Sequence, residues 1–180
     1  MPTIHLRPGE NTDAVLIAAV ATHVFLDTYA ADGVRPDLAR EVFEFCSAQA
    51  FAAALAEPER RFLIASTEAG VVGFAELLLN DRPAEVEGIT GAEVVRLYVQ
   101  PGSHGTGVGR ALLGRCEELV AASSLPSLWL TVWERNEAAI GFYRRMGFTD
   151  AGAGTYTYED QVYGTRIFAK ETREPHVATR

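Results

Sequence analysis

Three observations predict an α/β fold for this chain. Apolar, β-branched segments alternate with segments of helical apolar spacing. "RRFLIAS" and "VVGFAELLLN" flank "TEAG", which signals an antiparallel hairpin. "AEVVRLYV" runs into the glycine-rich "QPGSHGTGVG" and then a helix, the start of a β-loop-α-β unit. With 180 residues and no internal repeat, residues 1–170 are read as one domain and residues 171–180, "ETREPHVATR", as a flexible tail.

The elements follow in order β-α-α-β-β-β-α-β-α-β-β. "TIHLR" is a short strand. Asn11 or Thr12 is expected to cap a helix through Tyr29, with Val15, Ala18, Ala19, Thr22 and Phe25 near helical spacing. "ADGVRP" breaks it. "DLAREVFEFCSAQAFAAALAE" reads as a second helical region that Pro58 ends. After the hairpin, "DRPAEVEGITG" is a polar loop and "AEVVRLYV" a strand. The next helix, "TGVGRALLGRCEELVAA", lines Val108, Ala111, Leu112, Cys116, Leu119 and Val120 along one face. "PSLWLTVW" is a strand. A helix then runs from Asn136 and stops at Gly147, and "FTDAGAGTYTY" and "QVYGTRIFAK" form a final strand pair.

Composition excludes several classes. Hydrophobic residues make up 48% and charged residues 22% of the chain, ordinary for a soluble domain. No apolar run approaches the ~20 residues of a membrane span, and no apolar stretch follows the N-terminus as in a signal peptide. Cys46 and Cys116 sit in apolar helical stretches, which suits buried thiols in a reducing, cytoplasmic setting. His5, His23, His104 and His176 lack ligand spacing, so no metal is expected. The net charge of −8 argues against nucleic acid as a partner. Within Val99–Gly147, however, five arginines face four acids, while the stretch Glu76–Glu93 holds Glu76, Asp81, Glu85, Glu87 and Glu93 against Arg82 alone. The distribution suits an anionic cosubstrate beside a cationic substrate. Solvated surface acids are the simpler explanation.

The glycines at 102, 105, 107 and 109 lead into a helix start. Bare backbone approaches a ligand closely, and the first helical turn offers unpaired N–H groups with a partial positive charge. Together they make a phosphate site; a turn that merely caps the helix is the alternative. A mononucleotide P-loop would need a lysine that is absent here. The dinucleotide pattern G-x-G-x-x-G meets Arg110 where its third glycine belongs. Ser103 in "PGSHG" lacks the first glycine of a nucleophile elbow, and its only downstream histidine is His176.

"VVRLYVQPGSHGTGVGRALL" and "LTVWERNEAAIGFYRRMGF" together resemble the GNAT superfamily of acyl-CoA-dependent N-acyltransferases. The family's loop, [RQ]-x-x-G-x-[GA], falls on His104, Gly105, Thr106, Gly107, Val108 and Gly109, with His104 in place of Arg or Gln. Its second signature falls on Asn136, Ala139, Phe142, Tyr143, Gly147 and Phe148. The resemblance covers residues 3–170, and "AEVVRLYVQP" carries a weaker likeness to polyamine-acetylating members. It implies a mixed, largely antiparallel sheet flanked by helices. It also implies acetyl-CoA as cosubstrate and acetyl transfer to a small-molecule amine, with a homodimer as one arrangement. Loop amides at 105–110 and Arg110 would hold the pyrophosphate. Leu97, Tyr98, Val99 and Asn136 would hold the pantetheine arm, and Tyr143 would also meet the cosubstrate.

The chemistry needs a base for the ammonium, a donor for the oxyanion and an acid for the leaving thiolate. The Val99 N–H is the expected oxyanion donor. Tyr143 is placed by the motif as the acid; its alternative is to pack helix on sheet. Glu93 shares a strand face with Val95, Leu97 and Val99 and is one candidate base. Glu76, alternating with Phe74 and Leu78 and so expected to be buried with a raised pKa, is the other. Tyr29, Glu76, Trp133 and Glu134 are candidates to line the amine pocket. The His104 ring either meets the pyrophosphate, making CoA affinity follow its titration, or faces solvent as a bystander. An acetyltransferase for protein or peptide amines, a non-catalytic acyl-CoA-binding regulator and a dinucleotide-binding protein remain as alternatives.

Overall fold

The computed structural model describes residues 3–172. In chain order the elements are β1 (His5–Pro8), α1 (Ala14–Tyr29), α2 (Pro36–Phe45), α3 (Ala48–Leu55), β2 (Arg60–Thr67), β3 (Gly70–Asp81), β4 (Gly91–Val99), α4 (Val108–Ala122), β5 (Ser127–Trp133), α5 (Glu137–Arg145), β6 (Thr149–Tyr158) and β7 (Gln161–Glu171). Seven strands form a mixed sheet in the order β1-β2-β3-β4-β5-β7-β6. β1 with β2, β5 with β7, and β6 with β7 pair antiparallel. β4 and β5 pair parallel through Ala92↔Leu128 and Glu93↔Trp129, with α4 as the crossover. The fold is the α/β arrangement the sequence predicts.

Two details differ from the sequence reading. The second helical region is two helices, because the chain leaves α2 at Cys46 and Ser47 starts α3. The Ser47 Oγ accepts the Ala50 N–H at 3.1 Å, satisfying one of the orphan donors of the new helix. The start of α1 is organised by Asp13 instead of Asn11 or Thr12. The Asp13 Oδ2 accepts the Glu10 N–H at 2.9 Å, and Arg7 forks onto both its oxygens at 2.6 and 2.7 Å. That fork holds the Asp13 carboxyl below the usual range.

The chain forms two compact units. One comprises the chain up to Glu76 together with Arg96–Leu113; the other comprises Leu77–Val95 and the chain from Gly114. In the first unit, Ile17, Ala21 and Phe25 of α1, Val42 of α2 and Phe51 of α3 cluster on Phe62, Ile64 and Phe74. The Phe51 ring meets Phe62 and Phe74 edge-on at 6.3 and 5.7 Å. In the second unit, Leu128, Leu130 and Val132 alternate into the interior of β5, and Ile167 and Phe168 are buried on β7. The α5 ends carry the signals read from the sequence: the Asn136 Oδ1 accepts the Ala139 N–H at 3.1 Å, and Gly147 has φ +87°. The Lys170 Nζ donates to the Met146 carbonyl at 2.9 Å and to Glu117 at 2.7 Å.

Glu171 closes β7, and the Thr172 N–H donates to the Pro126 carbonyl at 3.0 Å; the rest of the expected tail lies outside the described residues. Among the described residues, no helix is long and apolar enough to cross a membrane.

Candidate active site

The glycine loop is built by short-range hydrogen bonds. Pro101–Ser103 forms one 3₁₀ turn after β4, with the Ser103 N–H donating to the Gln100 carbonyl at 2.8 Å. The Thr106 Oγ1 donates to the Ser103 carbonyl at 2.7 Å and folds the loop back on itself. Gly105 and Gly107 then take φ +74° and +94°, left-handed backbone that side chains oppose. A Cβ at either glycine would meet no atom within 4 Å, so the space above them is open for a ligand. Helix α4 starts at Val108, directly after this turn. Arg110, in its first turn, is exposed. A loop of bare backbone ahead of a 15-residue helix fits a pyrophosphate.

The end of β4 is pinned on several sides. The Gln100 N–H donates to the Val72 carbonyl at 2.9 Å, and its side-chain Nε2 donates to the Val71 carbonyl at 3.0 Å. In an extended strand, a residue's own N–H and C=O share one edge and the next N–H points to the other. The Val99 N–H and C=O therefore face the edge away from β3, as do those of Leu97. The Val99 carbonyl accepts the His104 Nε2–H at 2.9 Å. His104 is exposed, with its ring at that carbonyl. Gly73 permits the close passage of β3: a Cβ there would lie 2.7 Å from the Tyr98 carbonyl oxygen. Sequence reasoning missed Gly73 and Gln100, since both act through the neighbouring strand.

Glu76 is fully buried on β3, as its alternation predicts. Its Oε1 accepts from the Arg60 Nη1 and its Oε2 from the Arg96 Nη1. Arg60 also donates to Glu57 at 2.7 Å, and the Arg96 guanidinium lies 5.3 Å from the centre of the Phe51 ring. Burial weighs against the Arg96 charge, yet Glu76 and its other neighbours more than offset it, so the guanidinium is held above its ordinary range. Arg60 is raised in the same way, through Glu57 and Glu76. Both arginines escaped the sequence reading, although Arg96 sits in the predicted strand.

Tyr98 and Tyr29 belong to this face. The Tyr98 ring meets Phe74 at 5.5 Å, and Tyr29 stacks tilted against Phe25 at 4.8 Å. Burial raises both phenols above their ordinary pKa, with Glu41 and Cys46 adding to the effect at each. Burial also pushes the Cys46 thiol up to about 11. The Tyr98 ring packs against Phe74, and its carbonyl faces Gly73 of β3.

The remaining candidates lie in the second unit. Glu93, on the other strand face from Arg96 and Tyr98, is half-buried and opposite Trp129. Tyr143 is buried on α5, its ring 5.3 Å from Phe142 and 5.8 Å from Phe148. Asn136 spends its Oδ1 on the cap of α5. Trp133 is half-buried at the end of β5. Glu134 is exposed, and its carboxylate lies against Gly164, where a Cβ would stand 2.5 Å from Oε2. Among the described residues, no three His, Cys, Asp or Glu side chains converge as metal ligands.

A model of the acetyltransferase (GNAT) family matches residues 23–148. An uncharacterised N-acetyltransferase of Mycobacterium bovis is 33% identical over 146 residues, spanning 81% of this chain and 88% of that relative. An uncharacterised N-acetyltransferase of Lactobacillus delbrueckii is 29% identical over 131 residues, 73% of this chain and 76% of the relative. Among solved structures, the paiA N-acetyltransferase of Thermoplasma acidophilum in complex with coenzyme A superposes with a TM-score of 0.73 at 21% identity, over 94% of this chain and 99% of that one.

Proposed function

Since this chain belongs to the acetyltransferase (GNAT) family and is an N-acetyltransferase, we propose that it transfers the acetyl group of acetyl-CoA to a primary amine of a small, basic molecule. The observation that carries the reading is the loop at 105–107, two left-handed glycines under open space at the start of α4. Acetyl-CoA supplies the acetyl group as a thioester. Loop amides and Arg110 hold its pyrophosphate, while the open edge of β4 at Leu97 and Val99 hydrogen-bonds the pantetheine arm, with the Asn136 Nδ2 assisting.

Of the two candidate bases, Glu93 is the better suited. Both oxygens of Glu76 are already held by guanidinium groups, so Glu76 serves as the counter-ion that fixes Arg60 and Arg96. Glu93 takes the proton of the substrate ammonium, directly or through one water. The neutral amine attacks the thioester carbon, and the Val99 N–H donates to the oxyanion that forms. As the carbon–sulfur bond breaks, the Tyr143 phenol protonates the departing thiolate, and the proton lost by the acylated nitrogen restores the phenol.

A basic substrate is supported by the predominance of acids over Glu76–Glu93, where Asp81, Glu85, Glu87 and Glu93 join Glu76 against Arg82. Two free, buried cysteines support a cytoplasmic setting. The test of the mechanism is Tyr143→Phe, assayed by thiol release. The reading expects kcat to fall roughly 10²–10⁴-fold with little change in KM for acetyl-CoA. A kcat near that of the wild type, with chemistry rate-limiting, would return Tyr143 to packing against Phe142 and Phe148.

A further inference from the structure

Resting on that reading, we propose that Glu85 and Thr165 hold a second, non-reacting ammonium of the acceptor, so that the preferred substrate is an elongated dication whose reacting nitrogen lies at Glu93. The site is one face of the sheet within the second unit. Residues paired across adjacent strands share a face. Here Glu93 pairs with Trp129, Trp133 with Thr165, and Thr165 with Gly154. Thr131 lies between the two tryptophans on the same side of β5. Its neighbours Leu130 and Val132 are buried on the opposite side, yet Thr131 is exposed in the middle of an interior strand. The sheet is therefore uncovered there, and the two indoles flank an open floor on which an alkyl chain can lie.

At the far side of that floor Thr165 is only 5% exposed, and its Oγ1 has no hydrogen-bond partner among the described residues. A buried hydroxyl without a partner keeps unspent donor and acceptor capacity. The Glu85 carboxylate reaches the same place from the loop between β3 and β4, where Glu85 is exposed. Both groups stand over Gly154: a Cβ there would lie 3.0 Å from the Thr165 Oγ1 and 3.5 Å from the Glu85 Cδ. The φ of Gly154 is not left-handed, so this position needs the room that glycine leaves and not its backbone freedom. The Thr155 N–H, 3.5 Å from the Glu85 Oε1, keeps the carboxylate over this spot. A carboxylate beside an idle hydroxyl suits an ammonium: the carboxylate supplies the opposite charge, and the hydroxyl oxygen accepts another N–H. Glu93 on β4 and Gly154 on β6 stand three strand spacings apart, ~14 Å across the sheet. That separation sets the span between the reacting nitrogen and the anchored one.

The test is acetylation of straight-chain α,ω-diaminoalkanes, from the butane to the dodecane, set against hexylamine at saturating acetyl-CoA in the full chain. In the wild type, kcat/KM is expected to rise with chain length. It should exceed that for hexylamine roughly tenfold or more once the second ammonium reaches Glu85, the worth of a hydrogen bond between charged groups. Glu85→Gln is expected to erase that ratio. Thr165→Val, which keeps the shape and removes the Oγ1, is expected to reduce it roughly threefold. Glu87→Gln, which removes an exposed acid of the same loop, is expected to keep it, and melting temperatures verify that each variant is folded. A wild type indifferent to chain length, or a Glu85→Gln or Thr165→Val chain that retains the wild-type ratio, would overturn the proposal while leaving acetyl transfer intact. Equal losses in Glu85→Gln and Glu87→Gln would overturn it too, by making the effect one of general charge. A wild type that acetylates no amine would contradict the broader reading, and this proposal with it.

Discussion

Glu76 places a full negative charge in the interior of the first unit, and the two arginines around it set the cost of losing it. Removing one partner of a buried ion pair leaves the other charge uncompensated, which costs about 3–5 kcal/mol. Glu76→Ala should therefore lower stability by about that amount in urea unfolding, since Arg60 and Arg96 lose their shared acceptor. The pH dependence of kcat in any folded Glu76 variant should keep its basic and acidic limbs. Loss of less than about 1 kcal/mol, together with loss of the acidic limb, would make Glu76 the base. The burial of this residue was legible from its alternation with Phe74 and Leu78. Its partners were not, because they stand 16 and 20 residues away and meet it only once three strands align. His104 shows the same limit at short range. The ring lies five residues from its acceptor, but the fold of the loop decides which group it meets.

Helix ends and turns follow local chemistry, and here the sequence was most readable. Asn136 and Gly147 bound α5 as predicted, because capping depends on the few residues that surround it. The split between α2 and α3 was missed because "FCSAQAFAAA" is apolar apart from Ser47 and Gln49, and periodicity alone does not reveal a break. Ser47 carried the only local signal. The element that matters most for function is the glycine loop. Gly107 has φ +94° and open space where a Cβ would go. Gly107→Ala should cost only about 1–2 kcal/mol of stability from backbone strain. Its KM for acetyl-CoA should rise more than roughly tenfold, because the new methyl group stands where close backbone approach is needed. Calorimetric titration with acetyl-CoA checks the second effect and thermal unfolding the first. Unchanged affinity with lowered stability would make the glycine a turn residue only.

For the whole molecule, burial of acidic groups links stability to alkaline pH. Burial pushes the Cys46 thiol up to about 11 and the Cys116 thiol up to about 12, against an ordinary value of 9.0. Below the ordinary value both states hold their protons and the full stability is present. Above it the unfolded chain releases protons first, so stability falls as pH rises toward the folded values. Tyr29 and Tyr98, raised by burial, act in the same direction. The melting temperature should drop between pH 8.5 and 11, and by less in the doubly substituted Cys46→Ala, Cys116→Ala chain; parallel curves for the two proteins would remove the thiols as the cause. The charge of the molecule bears on function. The chain carries −8, with acids before β4 and arginines after it, which suits a cationic acceptor and an anionic donor. One measurement tests acetyl transfer most directly: mass spectrometry of the products formed from acetyl-CoA and a panel of polyamines, neutral and acidic amino acids, aminoglycosides and peptides. The account predicts a mono-acetylated basic small amine, matched mole for mole by free CoA. Acetylation confined to acidic or neutral amines would contradict the substrate class, and the absence of any acetylated product would contradict the account as a whole.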